Sequence, residues 1–215
     1  MTIHATVVDY GMANLLNVVR ALNHCGATVT VTEDPAVALA ADRLVVPGVG
    51  AFKDSIHELQ VRGLVDAIRQ YALLERPLLG ICVGMQILFD DSEEFGIHPG
   101  LGILPGQVKM VPKTTTLGAV QRIPYIGWYH LVEPPDGRDW NGTLLQPVTN
   151  ANPAVYFVHS FAAHPAVASD RLADYIYGGH RISAAVQRGT IMATQFHPER
   201  SARVGLSLLS RFLEM

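Results

Sequence analysis

Cys82 stands between Gly80 and Gly84 in the run Leu78-Leu-Gly-Ile-Cys-Val-Gly-Met-Gln86. Gly-x-Cys-x-Gly is the cysteine form of a nucleophile elbow, where the chain leaves a strand and enters a helix within a few residues. Side chains beside the nucleophile would collide in that bend. Glycine on both sides therefore predicts a sulfur held above a strand end. The start of the next helix would favour an anion there. A free cysteine can also pack as a small hydrophobe, and a partner has to separate the two readings. One is available near the other end, where the apolar run Ile191 to Phe196 leads into His197-Pro198-Glu199. A thiol nucleophile needs a general base, and the base needs an orienting carboxylate. Residues two apart in extended backbone share a face. The spacing predicts a Cys82-His197-Glu199 triad, against the plainer alternative that His197 is a strand-end surface histidine.

The elements that must position these groups follow from the apolar pattern. Ala5 to Val8 reads as a short buried strand, and Asn14 to Asn23 as a helix with Leu15, Val18, Val19 and Leu22 on one stripe. Gly26 stops that helix, and Cys25 beside it reads as packing. Thr28 to Thr32 is a second strand. Asp34-Pro35 opens a second helix with proline at its favoured first position, and Leu44 to Val46 is a third strand. Ser55 to Tyr71 reads as one long amphipathic helix, and Met85 to Phe89 as helix continuing beyond Cys82. Strands alternating with helices at this pace predict an α/β chain with a parallel sheet wrapped by helices. Ser92 to Arg122 is broken by glycine and proline and reads as loops and short strands. Within it, Lys113 to Gly118 reads as a mobile polar loop. The last helix is expected at Gly205 to Leu213, packed through Leu206, Leu209 and Phe212.

Cys82's segment Gly80 to Gln86, together with Gln195-Phe-His-Pro-Glu199, resembles the class I, triad-type glutamine amidotransferases. Asp9-Tyr-Gly-Met-Ala-Asn-Leu15, Pro47-Gly-Val-Gly-Ala-Phe52 and Tyr156-Phe-Val-His-Ser160 narrow the resemblance to the glutaminase subunits of imidazole glycerol phosphate synthases, the HisH type. The likeness runs from about Val7 to the C-terminus. It implies a flavodoxin-like fold with a mostly parallel central sheet, an additional small antiparallel sheet, and one domain over residues 1–215. It implies glutamine hydrolysis to glutamate, with ammonia passed to a cyclase subunit, a HisF-type (β/α)8 barrel, in a heterodimer serving histidine biosynthesis.

The resemblance also assigns roles. Backbone near Val49 and Gly50 would help hold the oxyanion. A glycine-rich turn allows close backbone approach, although Pro-Gly-x-Gly is also an ordinary turn. Elbow geometry adds the Val83 amide as a second donor. Gln86 lies one turn beyond Cys82 on the same side; its implied role is to hold the substrate glutamine, against a solvated helix Gln. His159 and Ser160, at a strand end, would contact the same substrate. Trp128, read as lying in a loop, suits an interface anchor or core packing. Arg200 joins it as an implied interface residue. Four departures stand out: Ala13 for a usual glycine, Tyr129 for asparagine, Phe161 for tyrosine and Arg200 for lysine. Tyr129 and Arg200 keep open a paralogous amidotransferase subunit that serves surface-sugar amidation. A non-catalytic regulatory subunit is a third reading, opposed by the intact triad residues.

Composition sets outer bounds. Of 215 residues, 49% are hydrophobic, 16% are charged, and the net charge is −3, which suggests neither a nucleic-acid nor a membrane-surface protein. Two cysteines make no disulfide framework. Met1-Thr-Ile-His-Ala does not read as a signal peptide, so a cytoplasmic protein is expected. His57, His98, His130, His164 and His180 lack carboxylate or cysteine at metal-like spacing, and neither a metal nor a cofactor is assigned.

Overall fold

The chain is described from a computed structural model, covering residues 3–136, 138–149 and 151–215. Its amino-terminal part alternates strand and helix: β1 (Ile3–Val8), α1 (Leu15–His24), β2 (Ala27–Thr32), α2 (Pro35–Leu39), β3 (Leu44–Gly48), α3 (Phe52–Val61), α4 (Leu64–Ala72) and β4 (Leu78–Cys82). A single turn, α5 (Val83–Gln86), follows Cys82. Then come β5 (Asp91–Ser92), β6 (His98–Pro99), β7 (Gly106–Met110), β8 (Tyr125–His130), β9 (Ala154–His159), β10 (Phe161–Pro165), β11 (Arg171–Tyr177), β12 (His180–Arg188), β13 (Ile191–Thr194) and α6 (Ala202–Glu214).

The central sheet has seven strands in the order β11-β12-β13-β4-β3-β1-β2. From β2 to β13 every pairing is parallel, while β12 and β11 are added antiparallel. Strands β3 and β4 are buried at every position, as strands covered on both faces must be. Winding from β1 outward in both directions puts α1 with α6 and gathers α2, α3 and α4 together. The break in strand order lies between β1 and β3, where open α/β sheets form a crevice beyond their carboxyl ends. Outside it lie the expected small antiparallel strands, as the four-stranded sheet β10-β7-β5-β6, antiparallel except between β5 and β7, and the antiparallel pair β8-β9.

Four local expectations need correction. The long helix over Ser55 to Tyr71 is broken at Gly63, whose φ of 68° is left-handed, so α3 and α4 meet at an angle that periodicity does not reveal. The helix after Cys82 stops at Gln86. The amides of Leu88 and Phe89 reach back only three residues, to Met85 and Gln86, and the carbonyls of Ile87, Leu88 and Phe89 accept from the amides of Leu101, Ile103 and Gly102. The Lys113–Gly118 run is tied by its backbone: Thr115 donates to Ala119 and Thr116 to Gly178. Trp128 lies not in a loop but within β8, paired with Tyr156 of β9. Among the described residues, no helix is long and apolar enough to cross a membrane.

Candidate active site

Beyond the carboxyl ends of β3, β4 and β13, the chain makes three tight turns that converge on one cavity. At the end of β4, Cys82 has φ 56°, a conformation that side-chain-bearing residues rarely adopt. The flanking glycines are required by space. A Cβ on Gly84 would lie 1.8 Å from the Val46 carbonyl oxygen, and one on Gly80 would lie 2.7 Å from the Gly84 oxygen. The elbow is thus pressed against the neighbouring strand, leaving the sulfur at the cavity wall. Because α5 is one turn long, it carries little aligned dipole. The helix effect expected from the sequence is correspondingly small.

His197 and Glu199 do pair, but not by the extended geometry anticipated. The chain turns at His197 into a 3₁₀ turn over Pro198–Arg200. Within that turn, Nδ1 of His197 lies 2.8 Å from Oε1 of Glu199, both side chains almost wholly buried. Pro198 lacks an N–H at the first position of the turn, where no intrahelical acceptor exists. The turn is pinned from outside: the His197 amide donates to the Tyr156 carbonyl at 3.0 Å, and the Ser201 hydroxyl donates to the His197 carbonyl at 2.6 Å. Nε2 of His197 is buried with no hydrogen-bond partner of normal geometry among the described residues, and Cys82 is its neighbour. Burial alone would lower the pKa of the imidazole. The Cys82 sulfur and the Glu199 carboxylate outweigh it and raise the value to about 10. Those two neighbours thus favour the charged form of the ring.

The raised value makes a stability prediction. A folded-state pKa of about 10 against an ordinary 6.5 stabilises the fold fully below pH 6.5, and that contribution is lost as pH rises through 10. Denaturant unfolding between pH 6 and 10 is expected to show this alkaline decline in the native chain and to lose it in His197→Gln. Equal slopes in both would refute the assignment.

The cavity holds about 240 Å³. Pockets for drug-sized ligands hold roughly 300–1,000 Å³, so this smaller volume suits an amino acid. Val49, Gly50, Val83, Gln86, His159 and Ser160 all line it. Their individual arrangements refine the roles. Val49 does not offer its amide to the cavity: its N–H donates to the Met12 carbonyl at 2.7 Å. Gly50 follows at φ 93°, a conformation that favours glycine. The amide of Val83 heads the first turn of α5, where no intrahelical acceptor exists. As drawn by its partners, the Gln86 amide group spends both N–H bonds inside the protein, on the Phe161 carbonyl at 2.8 Å and Oε1 of Gln195 at 3.1 Å. Only its oxygen is left for a ligand. His159 is likewise occupied. Nδ1 lies 2.9 Å from the Phe161 carbonyl, so it carries the proton, and Nε2 accepts from the Tyr175 hydroxyl at 3.0 Å. Burial lowers its pKa to about 4. The ring is a neutral wall, not a hydrogen-bond partner of a ligand.

Three groups escaped the sequence reading. Glu94 reaches the cavity from the loop after β5, and its Oε2 accepts from the Phe52 amide at 2.7 Å. Gln195 and Tyr175 lie behind the wall, both fully buried. Glu94 sat in an acidic run with nothing to distinguish it, and Gln195 was visible only as part of the motif around His197.

The candidate interface residues sit together on the outside. Trp128 is 51% exposed. Its ring lies edge-on to Tyr156 at 6.1 Å, and the Arg200 guanidinium lies over the Tyr156 ring, 4.5 Å from its centroid. Strand alternation sends Tyr129 the opposite way, against Tyr125, Tyr175 and Tyr177.

The model of the glutamine amidotransferase class-I family matches residues 6–215. The imidazole glycerol phosphate synthase subunit HisH 1 of Legionella pneumophila strain Lens is 44% identical, with 98% of each chain covered. The HisH subunits of Syntrophotalea carbinolica and Gloeobacter violaceus are 43% and 44% identical, over 97% and 99% of this chain and 98% and 90% of theirs. A solved glutamine amidotransferase superimposes with a TM-score of 0.71 at 20% identity, covering 97% of both chains. PurLQS from Thermotoga maritima does so at 0.71 and 18%, covering 100% of this chain and 98% of that one. At those identities the structures speak to fold alone. A strained cysteine elbow, a buried His-Glu pair on the same cavity and a family match along almost the whole length agree: the chain belongs to the class-I glutamine amidotransferases.

Proposed function

We propose that this chain is the glutaminase subunit of an imidazole glycerol phosphate synthase, with residues 1–215 acting as one domain. The reading is carried by the buried His197–Glu199 pair beside Cys82 in an amino-acid-sized cavity. The relatives' shared name supplies the pathway. Cys82 as thiolate attacks the side-chain amide carbon of L-glutamine, forming a C–S bond and an oxyanion. His197 gives its proton to the amide nitrogen as the C–N bond breaks, and ammonia leaves. It then takes a proton from water, which attacks the thioester and releases glutamate and the free cysteine. Glu199 keeps the imidazole oriented throughout. The Glu94 carboxylate is suited to the α-ammonium group of the substrate, and Gln86 offers its amide oxygen. The Val83 amide is one oxyanion donor. A second from the Val49–Gly50 turn requires its backbone to release Met12, so the lone chain should turn over slowly.

The ammonia is used by a cyclase subunit, a HisF-type (β/α)8 barrel, docked as a heterodimer on the Trp128–Tyr156–Arg200 face, in the cytoplasm. Tyr129, which had suggested a different partner, points inward and leaves Arg200 as the departure on that face. Surface-sugar amidation thereby loses half of its motivation.

Glutamate release should be measured for the chain alone and with the cyclase carrying its nucleotide ligand. Large stimulation is expected. Trp128→Ala, still folded, should weaken docking roughly 30-fold, the effect of losing an anchor worth about 2 kcal/mol. Fast turnover by the lone chain, indifferent to any cyclase, would overturn the coupled reading.

A further inference from the structure

Behind the cavity wall runs a continuous series of buried polar contacts that ends on the nucleophile. Tyr175 donates to His159, and His159 donates to the Phe161 carbonyl. Gln86 donates to that same carbonyl and to Oε1 of Gln195. Gln195 places Nε2 3.8 Å from the sulfur of Cys82. The direction of every bond follows from one atom. A backbone carbonyl can only accept, so Gln86 must turn its NH₂ group towards Phe161. The other N–H of that group then meets Gln195, which has to answer with its oxygen. Gln195 is left with its own NH₂ towards the sulfur. A reversed amide would set oxygen against oxygen at one end of the series and oxygen against an anionic sulfur at the other. Gln195 is 0% exposed and Gln86 3%, so water cannot substitute for either partner.

We propose that Gln195 is a donor to the nucleophile, holding the Cys82 thiolate with an N–H whose direction is set by the Phe161 carbonyl through Gln86. This deepens the glutaminase reading and rests on it. The mechanism above leaves Gln195 without a task, yet the residue spends both ends of its amide between the substrate-binding glutamine and the attacking atom. A charge-assisted bond of this kind favours the anionic sulfur over the thiol, and only the anion attacks. Its effect should fall on attack, not on substrate affinity.

The test uses the full chain and two electrophiles: iodoacetamide, which is neutral and small, and a chloroketone analogue of glutamine. Cys82 labelling is followed by mass spectrometry, with glutamine as protectant, for the native chain, Gln195→Met and Gln195→Asn. Met keeps the volume without the donor; Asn keeps the amide but withdraws it by one methylene. Thermal unfolding identifies which variants are folded. In each folded variant, iodoacetamide labelling is expected to slow roughly ten-fold or more, the size of one charge-assisted bond. The glutamine concentration giving half-protection should stay within about two-fold of native, because affinity is not the target. A merely structural role would shift the unfolding midpoint without separating these two quantities. Native labelling rates in either folded variant would overturn the proposal, as would a loss confined to protection. If glutamine fails to protect Cys82 in the native chain, the glutaminase reading itself fails; the proposal alone fails if protection is native and the variants label normally.

Discussion

Cys82→Ala in the assembled synthase is expected to abolish glutamine-dependent product formation while leaving ammonia-dependent formation at the native level. The loss should be on the order of 10⁴-fold or more, because removing a covalent nucleophile takes the whole cooperating set with it. The fold should survive. Cys82 is buried at the end of β4, and alanine removes one sulfur without filling space, leaving only the N–H groups of Gln195 and His197 that faced it unmatched. Supplying ammonium salt bypasses the chain altogether, so the two assays together separate lost chemistry from lost assembly. Product formed from glutamine at native rates by Cys82→Ala would remove Cys82 from the reaction and revive a regulatory subunit.

Gly84→Ala should be among the most damaging single methyl groups that could be added to the chain. The new Cβ would sit 1.8 Å from the oxygen of Val46 and 2.9 Å from its carbon. Both are backbone atoms of a buried central strand, so no flexible side chain can yield. The clash forces β3 and the elbow apart, with an expected cost of about 4 kcal/mol or more, in the range reserved for severe core lesions. Gly142→Ala is the control. Its Cβ would meet nothing within 4 Å, and only φ 73° opposes it. A cost of about 1–2 kcal/mol is expected there. Urea unfolding of both variants measures the difference. Similar midpoints would mean that the elbow tolerates more movement than its contacts allow.

The candidate catalytic residues were legible because the chemistry proposed for them restricts type and spacing together. Cys82 needs glycine on both sides for reasons of space, and those glycines are visible without coordinates. The strand-helix alternation up to Cys82 was equally readable, since apolar runs such as Leu44–Val46 sort strands from helices by period and length. What stayed hidden depends on contacts distant in the chain. Gly63 breaks a helix whose periodicity runs straight through it, because α3 and α4 pack on different neighbours. The truncation of α5 is decided by amides of Gly102 and Leu101, which no local pattern mentions. His197 and Glu199 met for a reason other than the one supplied: a 3₁₀ turn brought them together where extended backbone was assumed. Val49 lines the cavity, but the direction of its N–H is a property of Met12's carbonyl. Glu94 is the clearest loss. A carboxylate that faces the site from another loop has no sequence spacing to announce it.

The left-handed backbone of Cys82 has a consequence for how this chain can change over generations. At φ 56°, any residue with a Cβ holds local strain, on the order of 1–3 kcal/mol at such positions. Glycine alone would relax it, and glycine has no sulfur. Selection for robustness alone would therefore drift towards discarding the reactive atom, and only selection on glutamine use retains it. The elbow is a point where durability and catalysis pull in opposite directions. A laboratory lineage evolved solely for heat resistance, with ammonia supplied in the medium, should lose its cysteine there before it loses His197 or Glu199, whose buried pair supports the fold.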